Sequence, residues 1–141
     1  MSKKYNIQNI FFRKPQGIED GIYFFSEMQK NEYVWEDGCS NQLEEPHLVE
    51  FFAGQKYNLA LEVGAGNGRC AAPLSRVCDD LVVVESSRDG LNQLIKRGLD
   101  NLIPVLSFDN ELPFKSDIFD LVASITVIEH IKNSCGRWVL K

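Results

Sequence analysis

Leu59-Ala-Leu-Glu-Val-Gly-Ala-Gly-Asn-Gly-Arg69 is the stretch whose reading decides the fold. Its first residues form a short apolar strand, Leu59 to Val63, that runs directly into a turn holding Gly64, Gly66 and Gly68. Glycines so spaced let the backbone bend sharply and approach a ligand where a Cβ atom would obstruct it. A helix expected over Asn67 to about Cys78 would aim its free N–H groups at a bound carboxylate or phosphate. Pro73 is tolerable there only near the first turn. The pattern points to a nucleotide-like cofactor at the carboxyl end of the first strand of an α/β sheet. A tight turn without a ligand is the plainer alternative.

Working outward, strands and helices alternate. Leu81 to Val84 reads as a second buried strand ending in Glu85, Ile103 to Leu106 as a third and Phe119 to Thr126 as a fourth. Arg88 to Arg97 reads as a helix with Leu91, Leu94 and Ile95 on one face and Gly98 as its stop. Continuous apolar strands separated by helices imply a parallel sheet covered on both faces. Residues 1–56 read as an N-terminal helical or cap segment. In it Ile22, Phe25 and Met28 are spaced for one helical face over Ile18 to Lys30, and a short helix opens at Pro46 and ends at Gly54. Residues 57–141 form the cofactor-binding domain in this reading.

Composition excludes several classes. The 141 residues are 44% hydrophobic and 25% charged with net charge −5, ordinary for a soluble globular domain. No basic stripe favours nucleic acid, and no apolar run is long enough for a signal peptide or membrane span. Cys39, Cys70, Cys78 and Cys135 show no C-x-x-C spacing, so free thiols in a reducing cytoplasm are expected.

Three features narrow the cofactor. A dinucleotide fingerprint, G-x-G-x-x-G counted from Gly64, would need its third glycine where Arg69 stands. Glu85 ends the second strand, where a carboxylate can accept from both hydroxyls of a ribose; a solvated acid is the alternative. Leu106-Ser-Phe-Asp-Asn-Glu-Leu-Pro-Phe114 is followed by Phe119-Asp-Leu-Val122, with Asp120 as a structural turn residue. Together, the E-x-G-x-G-x-G string, Glu85 and the Leu-Pro-Phe segment resemble the class I S-adenosylmethionine-dependent methyltransferases, of the type acting on small molecules. Arg69 and Leu-Pro-Phe disfavour a nicotinamide-dependent oxidoreductase.

The resemblance implies a Rossmann-like α/β parallel sheet with helices on both faces. About four of the family's seven strands, ordered 3-2-1-4-5-7-6, are present. It implies S-adenosyl-L-methionine as cofactor. The turn Glu62, Gly64, Ala65, Gly66 and Gly68 would take its methionine end, with Glu62 facing the ammonium. Glu85 and Ser86 would hold the ribose, and Asp109 and Asn110 the adenine, within one residue of register. Ser124 and Ile125 would offer carbonyls to the ammonium. His130 is the one local candidate base, although in many relatives a histidine there only packs. Glu129 and His130 match half of an E-x-x-E-H metal cluster, but Thr126 replaces its first acid, so no metal is expected. The acceptor would be a small molecule. The chain reads as a methyltransferase domain truncated after its fourth strand, whose open edge could pair with another chain. A cofactor-binding remnant without turnover is the competing reading.

Overall fold

The computed structural model describes residues 6–27, 44–108 and 111–125, with only the backbone given for residues 44–46. Among the described residues six strands form one sheet: β1 (Gly17–Glu19), β2 (Ile22–Phe24), β3 (Tyr57–Val63), β4 (Cys78–Glu85), β5 (Leu102–Leu106) and β6 (Leu121–Ser124). Their order is β1-β2-β5-β4-β3-β6, and every pair is parallel except the β1–β2 hairpin. The four strands read from the sequence are therefore β3, β4, β5 and β6. β3 lies between β4 and β6, which places the switch in strand order at its carboxyl end, where α/β sheets bind ligands. Among the described residues β6 pairs on one side only, with β3.

The hairpin corrects the helical reading of Ile18 to Lys30. Asp20 and Gly21 both take positive φ, 50° and 81°, as a two-residue hairpin turn demands. The spacing of Ile22 and Phe25 instead puts them on opposite faces of an extended chain, and both are buried. β2 then runs parallel to β5 with Tyr23 opposite Val105 and Phe24 opposite Leu106. Residues 1–56 thus contribute two strands to the sheet of residues 57–141.

Side-chain alternation gives the sheet two apolar faces. Ala60, Leu81, Val83 and Leu106 meet Phe52, Ala71, Leu74, Leu91 and Leu94 from helices α1 (Glu44–Phe52), α2 (Ala71–Ser75) and α3 (Arg88–Ile95). The opposite face, with Leu59, Leu61, Val63, Val82, Val84, Ile103 and Val105, is closed by different material. There Ile10, at the end of a 3₁₀ turn over Ile7–Ile10, packs with Phe11, Phe25 and the Leu112 to Phe119 loop. Phe11 and Phe114 form an antiparallel bridge and stack at 5.7 Å. Leu-Pro-Phe is therefore tied to the N-terminal segment, with Pro113 buried and its carbonyl accepting from Phe12 at 3.1 Å.

α2 is five residues long, much shorter than the helix expected from Asn67. Cys78 lies in β4, not on that helix, and both it and Cys70 are buried and outside any disulfide. Burial pushes the Cys78 thiol up to about 12, and its Sγ donates to the Leu74 carbonyl at 3.2 Å. No helix of the described residues is long and apolar enough to cross a membrane.

Candidate functional site

The turn after β3 is built around positive φ at Gly64, Gly66 and Gly68, at 75°, 54° and 88°. Its amides are held within the chain. Gly64 and Ala65 donate to the Val84 carbonyl at 2.8 and 3.4 Å, and Gly68 donates to Ala65 at 2.9 Å. Gly66 donates to Glu85 Oε2 at 2.7 Å. α3 presses on the turn most closely at Gly68, where a side chain has no room. A Cβ on Gly68 would lie 2.7 Å from Leu94 Cγ, and one on Gly90 would lie 3.5 Å from the Gly66 backbone. From the far end of α3, Arg97 Nε donates to the Asn67 carbonyl at 2.7 Å.

Glu85, buried at the end of β4, is the hub of this corner. Besides Gly66 on one oxygen, its other oxygen accepts from the amides of Ser86 and Ser87, each at 3.0 Å, and from Ser86 Oγ at 3.4 Å. A carboxylate offers about four acceptor positions. Oε1 is thus filled, and Oε2 retains room for one further donor, such as one ribose hydroxyl. Ser87 also caps α3, accepting from Gly90 at 3.3 Å.

Glu62 lies on the same sheet face, opposite Val83 and two residues short of Glu85 in register. It is 2% exposed, and its Oε2 has no hydrogen-bond partner among the described residues. Burial raises its carboxyl from 4.5 to about 8; the Glu85 charge adds to this, and Arg69 and Arg97 oppose it. A buried acceptor without a donor is costly unless something supplies one. An ammonium group fits, so this orphan oxygen accords with the methionine end of S-adenosylmethionine.

Of the residues read from sequence, Glu62, Gly64, Ala65, Gly66, Gly68, Glu85 and Ser86 converge at the carboxyl ends of β3 and β4. Ser124, opposite Val63 in β6, and Ile125 stand at the same edge on the other side of β3. Asp109, Asn110, Thr126, Glu129 and His130 lie outside the described residues. Asp120 is remote: its Oδ2 accepts from the amides of Asn58 and Leu59 at 2.8 and 3.1 Å, at the amino end of β3. Sequence reading missed Ser87, Gly90, Arg97 and the hairpin. A serine three residues before Gly90 was a legible cap signal, whereas nothing local marks Arg97.

Known proteins share this fold. A family model described as a methyltransferase domain matches residues 61–136, more than half of the chain. No curated protein matches it. A S-adenosylmethionine-dependent methyltransferase from Aquifex aeolicus superposes with TM-score 0.54 at 17% identity, covering 69% of this chain and 56% of that one. The YcgJ protein of Bacillus subtilis gives 0.55 at 18% identity, covering 63% and 40%. Phosphoethanolamine N-methyltransferase 1 of Haemonchus contortus, solved with phosphoethanolamine and S-adenosylhomocysteine, gives 0.57 at 14%, covering 65% and 20%. The chain thus spans from a fifth to just over half of the length of these relatives. With its strand order, its glycine turn after β3 and the family match in agreement, the chain belongs to the class I S-adenosylmethionine-dependent methyltransferase domain family.

Proposed function

We propose that this chain binds S-adenosyl-L-methionine across the carboxyl ends of β3, β4 and β5 and transfers its methyl group to a small-molecule acceptor. The observation that carries this reading is the pair of buried carboxylates flanking the glycine turn. Glu62 keeps an oxygen without a donor, and Glu85 keeps one acceptor position after bracing the turn. Bound there, the cofactor supplies a methyl group on a sulfonium, open to in-line displacement. The chain's own part is binding and alignment, which can contribute ~7–11 kcal/mol to lowering such a barrier. Glu62 would accept from the ammonium, and Glu85 with Ser86 from the ribose. Ser124 and Ile125 would offer backbone carbonyls to the same ammonium. The acidic net charge and the Leu-Pro-Phe segment support a small acceptor over nucleic acid. His130 is the proposed base for an acceptor that must lose a proton.

Calorimetric titration with S-adenosylmethionine, S-adenosylhomocysteine and NAD tests the reading: binding of the first two alone supports it, and preference for NAD overturns it. Transfer of labelled methyl to an acceptor library then separates an enzyme from a cofactor-binding protein without turnover.

A further inference from the structure

We propose that Ser26 is a positioning residue for the adenosine half of the cofactor, holding the chain that leaves β5 through the amide of Phe108; this rests on the S-adenosylmethionine reading above. β2 runs parallel to β5, so its carboxyl end arrives at the same sheet edge as the glycine turn. There Phe25 donates to the Leu106 carbonyl at 2.9 Å, and Ser26 shares the same acceptor at 3.4 Å. Ser26 Oγ then accepts from the Phe108 amide at 2.8 Å, a contact between residues far apart in sequence.

The position of this contact gives it a role. The glycine turn ends β3 and Glu85 ends β4. Ser107, which follows β5, donates to the Glu85 carbonyl at 3.0 Å. Neighbouring strands stand about 4.8 Å apart, so a base attached to a ribose at Glu85 reaches over the end of β5, one strand on. That is where Ser107 and Phe108 lie. The Phe108 side chain is 47% exposed, so burial does little to fix the backbone carrying it. Ser26 itself is tied to the end of β5 by its own amide. Phe25 before it is buried, and Glu27 after it pairs with Arg88 at the start of α3 at 3.2 Å. A hydroxyl on a braced strand end thus anchors the chain against which the base would rest. Without that anchor, ligand binding must itself order this chain and loses the corresponding free energy.

The test compares Ser26→Ala and Ser26→Thr with wild type in calorimetric titrations of S-adenosylhomocysteine and 5′-methylthioadenosine, which share the adenosine half. Ser26→Ala is expected to weaken both ligands by the same factor, about three- to tenfold. The Phe108 amide should exchange its hydrogen faster, while the thermal midpoint stays within about 2 °C of wild type. Ser26→Thr keeps the hydroxyl and should restore affinity. Unchanged affinities in Ser26→Ala, or a Ser26→Thr protein as weak as Ser26→Ala, would overturn the inference. A wild type that binds neither ligand would overturn the S-adenosylmethionine reading itself, an outcome distinct from wild-type binding that Ser26→Ala leaves intact.

Discussion

The amide of Gly66 donates to Glu85 Oε2 at 2.7 Å, tying the turn after β3 to the side chain that ends β4, beside the Gly64 and Ala65 amides on the Val84 carbonyl. Because the other oxygen of Glu85 takes the Ser86 and Ser87 amides, the same side chain fixes both the glycine turn and the entry to α3. The two walls of the candidate ribose site are therefore set by one carboxylate.

Replacing that carboxylate should damage fold and affinity together. Glu85→Ala leaves three amides without their charged acceptor, and bonds of this kind are worth about 1.5–3 kcal/mol apiece before solvent replaces them. Partial access of water reduces the expected loss to about 2–4 kcal/mol, with at least tenfold weaker binding of S-adenosylhomocysteine. Glu85→Gln keeps one acceptor oxygen but turns an NH₂ group towards amide donors, and should fall between. Denaturant unfolding and calorimetry read both effects. A Glu85→Ala protein with wild-type stability would refute the bracing role.

Glu62 makes stability depend on pH. Its carboxyl is raised to about 8 in the fold against an ordinary 4.5, so between these values the folded state binds more protons than the unfolded one. Stability therefore falls as pH rises from about 4.5 through about 8, and levels off above. Glu62→Gln should flatten this slope and be more stable than wild type at pH 8 by at least about 1 kcal/mol. It should also weaken S-adenosylhomocysteine while sparing 5′-methylthioadenosine, which lacks the ammonium. For wild type, binding near neutral pH should release a proton, seen as a buffer-dependent enthalpy. A mutant that weakens both ligands equally would remove Glu62 from the methionine end.

The glycines of the turn separate packing from conformation. Gly68→Ala combines a left-handed φ of 88° with a Cβ 2.7 Å from Leu94 Cγ, and should cost about 2–4 kcal/mol of stability. A Cβ on Gly66 meets nothing within 4 Å, so Gly66→Ala carries only the left-handed strain of about 1 kcal/mol. Its methyl group would occupy open space beside Glu85, so affinity for S-adenosylhomocysteine should suffer more than folding. Equal thermal midpoints for the two variants would contradict this division.

How far the sequence disclosed this site follows from the kind of signal each part leaves. β3, β4 and β5 are apolar because both faces of the sheet are covered, and a glycine turn at a strand end has few alternatives. β4 begins earlier than its apolar run, since Asp79 at its amino edge can face water and pair with Lys56 at 3.0 Å. The helix after the turn was overestimated because Gly68 holds a φ of 88°, outside the helical region, and Cys78 already pairs with Tyr57 in the sheet. The hairpin was missed because the period from Ile22 to Phe25 fits a helix, while the stronger cue was Asp20-Gly21. Arg97 and Ser26 act across long sequence separations on backbone groups, which leaves no local pattern to read.

Arg88 links that hairpin to α3. It pairs with Glu19 and Glu27 at 3.1 and 3.2 Å and lies 5.5 Å from the Phe24 ring centroid. Both carboxylates are well exposed, so the pairs are screened and each is worth about 0–1 kcal/mol. Arg88→Ala should cost about 1 kcal/mol in low salt and less in 1 M salt, measured by denaturant unfolding. A loss that does not shrink with salt would assign the contribution to the Phe24 contact and not to the ion pairs.

Asp120 offers the opposite case, a carboxylate whose removal should leave the cofactor site alone. Its Oδ2 accepts from the Asn58 and Leu59 amides, where β3 begins, and its own amide donates to the Leu59 carbonyl at 2.9 Å. These bonds hold the start of β6 against the start of β3, the full length of β3 from the glycine turn. Asp120→Ala leaves two strand-entry amides without this acceptor, one of them part-buried, at a cost of about 1–3 kcal/mol. At a temperature well below unfolding, its affinity for S-adenosylhomocysteine should stay within about twofold of wild type, because additivity holds for sites this far apart. A large loss of affinity with the fold intact would mean that β6 transmits its anchoring to Ser124 and Ile125. The expected result instead confines the site to the carboxyl edge of the sheet.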